Sequence, residues 1–544
     1  MTKTPSIEEL IIKNFPFEEF NPGQYEAIDR CIKSVRSGKK HTILSCPTGV
    51  GKSVIAMTVH NVLKDLNKHG YNSVILCTTR GLQDQYVMDF KSLVDLKGRT
   101  NYSCLHNIPE KYNSPKCIEK ILSNHCSADI CPYVMARRKW LGHIGSKTTN
   151  SALFTASVKI ATEENPIDLC VIDEAHEIDK VIISQGSIHF DLDEYPNTEK
   201  HFKDFKSKYI DLITAFVTYF PQSGEFKIAN AMKADAEDTL NSFYKSMSAA
   251  YKTILDGLEI TPDSKKHLTI KFELNDLLGK LEYFTSDVYS NTEWVMNLSD
   301  IGIVSIIPIK SSGVMTDEKL FSKAGQFIHM SATIGGLETY CDNLGINHNT
   351  VEYIDINNPI PIENRKIYLK NLVKVNRSTD ISTVINSILP IIESSKGNGI
   401  IHTVSFKLAY DIVKNVPKHI SKRMIVTNNR SEILTTLSKR NNAIILSPSV
   451  ETGYDFKNDL ARWQIIAKVP FLNLGDNYVE TRLNLSSKWY TREAVLRLIQ
   501  ACGRIVRGLS DYGDTYIIDN NILRLITNNP EMFPSWWLDA LELE

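Results

Sequence analysis

The stretch Cys46-Pro47-Thr48-Gly49-Val50-Gly51-Lys52-Ser53 decides the fold of this chain. It lies between an apolar run, Thr42-Ile43-Leu44-Ser45, and a helix-like segment over residues 54–59. The two glycines let the backbone curl, so that several N–H groups converge at a point that the following helix N-terminus keeps electropositive. Strand, glycine turn and helix in this order predict a phosphate-binding loop. The alternative is a chance glycine turn in front of a helix.

Side chains in and near this loop predict what it binds. Lys52 can reach the β- and γ-phosphates of a nucleoside triphosphate, and the Ser53 hydroxyl can ligate Mg²⁺. Gln24 lies upstream and can contact an adenine edge through its amide, although a surface glutamine is the commoner case. Cys46 stands where the full pattern has glycine, a mild departure because the turn glycines, the lysine and the serine remain. The stretch therefore predicts a nucleotide site.

A pair of adjacent carboxylates is the second decisive feature. Asp173 and Glu174 follow the apolar run Leu169-Cys170-Val171-Ile172, so they stand at the C-terminal end of a predicted strand, where α/β sheets bind ligands. There Asp173 would hold the Mg²⁺ shell, and Glu174 would orient or deprotonate the attacking water. Asp-Glu pairs are common on surfaces, but a buried strand and a phosphate loop favour the catalytic interpretation. His176 would link this site to the rest of the protein.

Composition and charge describe an ordinary globular chain of several domains. At 544 residues the chain exceeds what one hydrophobic core serves, and roughly two to four domains are expected. The net charge is −1, so nucleic acid would have to be held by local basic surface. Residues 1–20 lack a signal-peptide layout, and no apolar run approaches the ~20 residues that span a bilayer. We therefore expect a cytoplasmic protein (nucleoid-associated, or in the host cytoplasm if viral) with mostly reduced cysteines.

Four cysteines crowd into one short segment. Cys104, Cys117, Cys126 and Cys131 are separated by 12, 8 and 4 residues, which in a reducing compartment suggests a metal site rather than disulfides. Structural zinc prefers short pairs such as C-x₂-C, and this segment has none. A four-cysteine iron–sulfur cluster tolerates looser spacing, so the cluster is favoured over zinc. Unliganded thiols are the third possibility.

A basic stretch follows these cysteines. Arg137-Arg138-Lys139-Trp140 could track a nucleic-acid backbone, with the tryptophan as a stacking platform for a base. A solvated helix face explains the same residues equally well.

The periodicity of the remaining chain predicts two α/β lobes. Residues 190–300 repeat apolar side chains at helical spacing, which indicates a helical insertion in the first lobe. The first sheet resumes at Gln326–Thr333, and residues 357–365 have linker composition. A second series of apolar strands alternates with helical segments from residue 399 to 519, which is typical of a parallel sheet covered on both faces.

The second lobe has no phosphate loop of its own but carries Gln500-Ala501-Cys502-Gly503-Arg504-Ile505-Val506-Arg507. The spacing i, i+3 predicts that Arg504 and Arg507 lie on one helix face. Pointed across a cleft at the γ-phosphate, they would act as arginine fingers. A surface arginine pair is the alternative.

Together these stretches resemble the motifs of superfamily 2 helicases. The motifs are Pro47-Thr48-Gly49-x-Gly51-Lys52-Ser53, Asp173-Glu174-Ala175-His176, Ser331-Ala332-Thr333 and Gln500-x-x-Gly503-Arg504-x-x-Arg507. Within that superfamily the chain resembles the XPD/DinG family of iron–sulfur DNA helicases. This closer resemblance rests on Lys97-Gly98-Arg99-x-Asn101-Tyr102-x-Cys104, Cys131-Pro132-Tyr133-x-x-Ala136-Arg137, Asn364-Arg365 and Ser447-Pro448-Ser449…Gly453-x-Asp455. It covers nearly the whole chain and is weakest from about 190 to 300.

The resemblance implies two RecA-like parallel-sheet lobes, with an iron–sulfur domain and a helical arch both inserted in the first. The implied boundaries are 1–100 (first lobe, phosphate loop), 101–145 (iron–sulfur domain), 146–189 (first lobe, carboxylate strand), 190–300 (arch), 301–365 (end of the first lobe and linker) and 366–544 (second lobe).

The resemblance also implies an ATP-dependent DNA helicase that moves 5′→3′ on single-stranded DNA and unwinds forked duplexes as a monomer. Its cofactors would be ATP, Mg²⁺ and a 4Fe-4S cluster, with zinc the less favoured occupant of the cysteine site. The rival functions are an ATP-driven translocase that remodels RNA or displaces protein without separating strands, and a non-enzymatic nucleic-acid scaffold.

By motif match the implied site has catalytic, nucleotide-binding and metal-binding residues. Catalytic residues are Lys52, Asp173, Glu174, Gln500, Arg504 and Arg507. The nucleotide would contact Gln24, Thr48, Gly49, Val50, Gly51, Lys52, Ser53, Gly453 and Asp455. Mg²⁺ would be held by Ser53 and Asp173, and the cluster by Cys104, Cys117, Cys126 and Cys131. Thr78, Thr79, Gln83, Thr403 and Ser405 would lie near the DNA backbone, unless they cap helices.

Overall fold

The structure is a computed structural model of the chain. It describes residues 5–67, 70–103, 131–157, 165–191, 294–298, 303–312, 316–376, 378–448, 456 and 458–543, with a few helical positions between 242 and 282. The predicted ligands Cys104, Cys117, Cys126, Gly453 and Asp455 lie outside these residues, as does most of the predicted arch.

The first lobe is built on a parallel sheet. In the described part of the chain before residue 356 the strands are β1 His41–Ser45, β2 Ser73–Cys77, β3 Val94–Leu96, β4 Ser146–Asn150, β5 Leu169–Asp173, β6 Ile188–Asp191, β7 Trp294–Leu298, β8 Ile303–Pro308, β9 Gln326–Ser331 and β10 Glu352–Asp355. The parallel sheet has the spatial order β10-β1-β9-β5-β2-β4-β3. Strands β1, β2 and β5 are buried along their whole length, as their continuous apolar runs predict for a sheet covered on both faces.

This strand order positions the candidate site. β9 pairs with β1 on one side and with β5 on the other, so the carboxyl ends of all three strands meet at one edge. The phosphate loop follows β1, Ser331 ends β9, and Asp173 ends β5. Residues that are up to 286 positions apart in the sequence (45 to 331) are thereby brought side by side.

Helices cover both faces of the first sheet. Those in the described residues are α1 Ile7–Asn14, α2 Gln24–Arg36, α3 Lys52–Leu66, α4 Arg80–Asp89, α5 Pro132–Gly142, α6 Ser151–Ala156, α7 Ile178–Gly186 and α8 Leu337–Leu344. Helix α3 is almost entirely buried between α1, α2 and the sheet. Burial of this kind supplies most of the free energy that holds the phosphate loop in place.

The second lobe is also a parallel sheet. Its strands in the described residues are β11 Ile367–Val373, β12 Gly399–His402, β13 Met424–Val426, β14 Ile444–Ser447, β15 Trp463–Ile466, β16 Asp514–Asp519 and β17 Leu541–Leu543, in the order β13-β14-β12-β15-β16-β11-β17. The described helices of this lobe are α9 Ile381–Ser394, α10 Phe406–Asn415, α11 Lys418–Ser421, α12 Arg430–Lys439, α13 Asn477–Leu485, α14 Ser487–Cys502, α15 Asn521–Asn528 and α16 Ser535–Leu538. The predicted fold class, with two parallel-sheet α/β lobes, is confirmed.

The predicted helical insertion is only partly helical in its described residues. The few described positions between 242 and 282 are helical, but β7 and β8 pair with β6 in a separate antiparallel sheet of order β6-β8-β7. Residues 294–298, predicted within a helical arch, are therefore a strand. β8 extends this small sheet rather than the parallel sheet of the first lobe. The helical periodicity found further upstream does not extend through the β-branched and aromatic residues of these strands. The domain boundaries themselves stay predictions.

Among the described residues, no helix is both long enough and apolar enough to cross a membrane.

A buried histidine in the second lobe predicts acid sensitivity. His402 donates from Nε2 to Gln464 Oε1 at 3.0 Å, and burial lowers the pKa of this imidazole from 6.5 to about 4. At a pH between these two pKa values, His402 is protonated in the unfolded chain and neutral in the folded lobe. The free energy of unfolding therefore falls as the pH decreases from 7 to 5. When the free energy of unfolding is measured in urea at pH 7 and at pH 5, we expect the decrease to be about 2 kcal/mol smaller in His402→Gln than in the unmodified protein. An equal decrease in both proteins would contradict a neutral buried imidazole.

Candidate active site

The phosphate loop has the geometry that its sequence predicts. Gly49 and Gly51 take φ values of +93° and +91°, in the left-handed region that glycine adopts without strain. Gly51 directly precedes Lys52, the first residue of α3, so the loop ends at a helix N-terminus. The Cys46 N–H donates to the Ser331 carbonyl at 2.8 Å, which ties the start of the loop to the end of β9.

Gln24 lies against this loop. Its side chain is buried, and its Nε2 donates to the Val50 carbonyl at 2.9 Å while its Oε1 accepts from the Asn21 N–H at 3.0 Å. A Cβ added at Gly51 would lie 2.7 Å from Gln24 Nε2. The amide therefore supports the loop, and its contact with adenine stays a prediction.

The two carboxylates after β5 have different environments. Asp173 is buried, and its Oδ2 accepts from the Tyr86 hydroxyl at 2.8 Å while its Oδ1 accepts from the Glu174 N–H at 2.9 Å. Burial, aided by the charge of Glu174, raises the pKa of Asp173 to about 6. Tyr86 lies on α4 and had no motif to mark it in the sequence.

Glu174 is the more acidic of the pair. Its backbone has a positive φ of +53°, uncommon for a residue other than glycine. Burial alone would raise the pKa of Glu174, but the charges of Lys52, His176, Arg507 and Arg504 outweigh it and hold that pKa below the ordinary value. Lys52 Nζ lies 3.6 Å from Glu174 Oε1. The site thus keeps Glu174 ionised, as a group that accepts a proton must be.

His176 connects both lobes. Its Nδ1 contacts Ser331 Oγ at 2.8 Å, and its Nε2 contacts the side-chain amide of Gln500 from the second lobe. Ser331 Oγ in turn donates to the Thr333 carbonyl at 2.7 Å. The sequence suggested a linking role for His176, and these contacts give it a geometry.

Arg504 and Arg507 reach the site by a different route from the one predicted. Helix α14 ends at Cys502 with Gly503 as its C-cap, so neither arginine is helical and the prediction of a shared helix face is wrong. The glycine ends the helix one residue before the first arginine. The loop that follows still lies against the first lobe, since the Arg507 carbonyl is 3.3 Å from the position of a Cβ at Gly49.

A second contact between the lobes is formed by charged side chains. Lys180 of α7 lies 3.1 Å from Glu493 of α14, and Asp179 lies 3.7 Å from Arg482 of α13. Asp179, Arg482 and Glu493 are buried. No motif marked Glu493 in the sequence, although it precedes Gln500 by seven residues and so shares its helix face.

Several side chains that were predicted to contact nucleic acid form hydrogen bonds within the protein instead. Gln83 is buried and donates to Asp95 and to the Leu96 carbonyl, and Thr403 is buried with its hydroxyl bonded to the Ser405 carbonyl. Thr79 and Ser405 accept from backbone N–H groups at the starts of α4 and α10, so the helix-cap alternative is correct for both. The contact of Thr78 with the DNA backbone stays a prediction.

Trp140 is not a stacking platform. Its ring is fully buried and its Nε1 donates to the Thr148 carbonyl at 3.0 Å, because an indole gains more from packing than from exposure. The neighbouring residues 137–139 are exposed on α5, and their contact with a nucleic-acid backbone stays a prediction.

Three of the described side chains are suitable ligands for the predicted Mg²⁺ and iron–sulfur sites. Asp173 and Ser53 offer oxygen ligands beside the phosphate loop, the donor type that Mg²⁺ prefers. Cys131 is the one predicted cluster ligand within the described residues. It is buried at the N-cap of α5, where its Sγ accepts from the Val134 N–H at 3.5 Å.

Known proteins resemble this chain in both sequence and fold. A helicase C-terminal domain model matches residues 388–540, and a model described as type III restriction enzyme, res subunit, matches residues 18–216. A solved XPD helicase superposes with a TM-score of 0.59 at 16% identity, covering 97% of this chain and 100% of that one. The structure of S. tokodaii Xpd4 gives 0.56 at 15% identity, covering 96% and 99%. At these identities the two superpositions show a shared fold.

Curated proteins match this chain over shorter stretches. The ATP-dependent DNA helicase YoaA of Haemophilus influenzae is 22% identical over 219 residues, which are 38% of this chain and 34% of that protein. YoaA of Escherichia coli is 23% identical over 222 residues, 38% and 35% of the two chains. These matches span about a third of the relatives' own length.

A glycine pair tests the phosphate loop. We expect Gly51→Ala to weaken binding of a fluorescent ATP analogue at least ~10-fold, because the new Cβ displaces Gln24 and the left-handed backbone is strained. Gly38→Ala is the matched control: Gly38 has φ +79°, but a Cβ there meets nothing within 4 Å. Both variants should lose a similar ~1–2 kcal/mol of stability. Equal nucleotide affinity in the two variants would contradict the assignment of the loop.

Proposed function

We propose that this protein is an ATP-dependent DNA helicase. It hydrolyses ATP between its two lobes and uses their relative movement to travel on single-stranded DNA and separate a forked duplex. The observation that carries the proposal is the meeting of both lobes at one loop. Lys52 and Glu174 of the first lobe lie 3.6 Å apart, and the Arg507 carbonyl of the second lobe packs against Gly49.

The chemistry follows from the charges around the loop. The backbone at Gly49–Gly51 and the Lys52 ammonium bind the phosphates. Ser53 and Asp173 would hold Mg²⁺, which would neutralise developing phosphate charge. Glu174 orients the attacking water and accepts its proton, since its lowered pKa keeps it ionised at neutral pH. Tyr86 fixes the carboxylate of Asp173 through its 2.8 Å hydrogen bond.

The second lobe supplies the remaining positive charge. Arg504 and Arg507 already act electrostatically on Glu174, and a bound γ-phosphate would occupy the space between these charges and Lys52. Gln500 contacts His176 of the first lobe, and His176 in turn contacts Ser331 at the end of β9. Closing and opening of the lobes around the nucleotide then moves the strand, a domain-closure mechanism.

The finer features of this function rest on the resemblance to the XPD/DinG family and on the names of its relatives. We infer movement in the 5′→3′ direction, action as a monomer in the cytoplasm, and a 4Fe-4S cluster held by Cys131 with Cys104, Cys117 and Cys126. A cluster beside the basic α5 would stand where duplex meets single strand. Residues Gly453 and Asp455 would complete the nucleotide site from the second lobe.

Removing one lysine tests the ATP site. We expect Lys52→Ala to lower DNA-stimulated ATP hydrolysis at least ~100-fold while single-stranded DNA binding changes less than about threefold, because the ammonium serves the phosphates and not the DNA. Lys64→Ala, an exposed lysine near the far end of the same helix, is the control and keeps its activity.

Retained ATP turnover in Lys52→Ala would refute the site. Strand displacement on 5′- and 3′-tailed DNA, RNA and hybrid forks separates a DNA helicase from a translocase that does not unwind. ATP turnover with no displacement on any fork would support that rival.

The cysteine segment has its own test. Protein prepared anaerobically should absorb near ~400 nm, as iron–thiolate clusters do, and Cys131→Ser should lose that band. Cys341→Ala, a buried cysteine on α8, is the control and keeps the band. Stoichiometric zinc without iron would overturn the cluster.

A further inference from the structure

A single buried carboxylate holds the loop that carries Arg507. Asp511 is 5% exposed, and its Oδ2 accepts from the Arg507 N–H at 3.2 Å. Its two oxygens also accept from the Asn458 N–H at 3.2 and 3.3 Å. Arg462 Nη1 donates to Asp511 Oδ1 at 2.8 Å. A carboxylate that accepts both backbone N–H groups and a guanidinium is a strong, geometrically specific anchor.

The groups that Asp511 joins belong to two different segments. Arg507 follows α14, whereas Asn458 lies between β14 and β15 in the sequence. Asn458 takes a positive φ of +60°, and the Phe456 N–H donates to the Arg504 carbonyl at 3.0 Å. Asp511 and this backbone bond therefore tie both arginine positions to Phe456 and Asn458.

Arg462 braces the carboxylate from outside. Its guanidinium lies 4.0 Å from the centre of the Tyr512 ring and also pairs with Asp459 at 2.9 Å. Asp459 differs from Asp511 in one decisive respect: its side chain is 94% exposed, and within the described part of the chain it pairs with Arg462 rather than with the loop that carries Arg507. The two aspartates share a partner, but Asp511 alone of the two bonds to Arg507.

We propose that Asp511 is a positioning residue for ATP hydrolysis, which sets the place of Arg507 against the phosphate loop. The proposal rests on the proposed function and deepens it. Because the Arg507 carbonyl already packs against Gly49, a shift of the loop by even 1 Å moves the guanidinium relative to the γ-phosphate. The expected signature is a loss of kcat with little change in KM, since the nucleotide itself is bound by the first lobe.

A double-mutant cycle tests this. DNA-stimulated ATPase is measured for the full chain, Asp511→Ala, Arg507→Ala and the double variant. We expect Asp511→Ala to lower kcat about tenfold with KM for ATP within twofold, and to lower kcat less than twofold once Arg507 is already alanine. Asp459→Ala is the matched control and keeps the wild-type kcat.

Equal losses from Asp511→Ala in both backgrounds would overturn the proposal, because Asp511 would then act independently of Arg507. If Asp511→Ala does not fold, as judged by its melting temperature, Asp511→Asn, which keeps the shape and one acceptor oxygen, takes its place in the cycle. Failure of the proposed function has a different signature: Lys52→Ala would then retain turnover.

Discussion

Two neighbouring carboxylates at the seam between the lobes, one buried and one partly buried, constrain the rest of this structure. Asp173 and Glu174 stand next to each other at the end of β5, and two such charges are costly to bury without positive partners. Lys52 supplies one partner from the first lobe, and Arg504 and Arg507 supply positive charge from the second. The two carboxylates differ in acidity as a result. Burial raises the pKa of Asp173, whereas these cations hold the pKa of Glu174 below its ordinary value. A phosphate–metal complex is the kind of ligand that this arrangement accommodates.

The fold delivers each of these charges by a separate element. The order β1-β9-β5 places the phosphate loop, Ser331 and Asp173 on one edge of the first sheet. Helix α14 carries Glu493 and Gln500 to the first lobe before Gly503 ends it. The loop beyond then lays its backbone against Gly49. Helix α14 and this loop both belong to the second lobe and would move together. A rotation of that lobe would therefore change the packing at the phosphate loop and at His176.

Local patterns predicted the features that depend on neighbours in sequence. The phosphate loop and Asp173-Glu174 were found because a strand, a turn and the residues that follow are contiguous. The arginine pair was found, but its helix was extended too far because Gly503 acts as a C-cap here. Tyr86, which lies 87 residues from Asp173, and Asp511, which lies 53 residues from Asn458, could not be found, since only the folded sheets bring them to their partners. Trp140 was misassigned because its hydrophobic ring fits a core as well as a base stack.

The most direct measurement is an experimental structure with ADP, aluminium fluoride, Mg²⁺ and single-stranded DNA. The account predicts that the fluoride group, which mimics the transferred phosphate, lies between Lys52 and the Arg504 and Arg507 guanidinium groups, with Glu174 facing the attacking position. A nucleotide bound at the loop with both guanidinium groups turned to solvent, about 8 Å or more away, would contradict it, because such a distance leaves the charge of the second lobe largely screened.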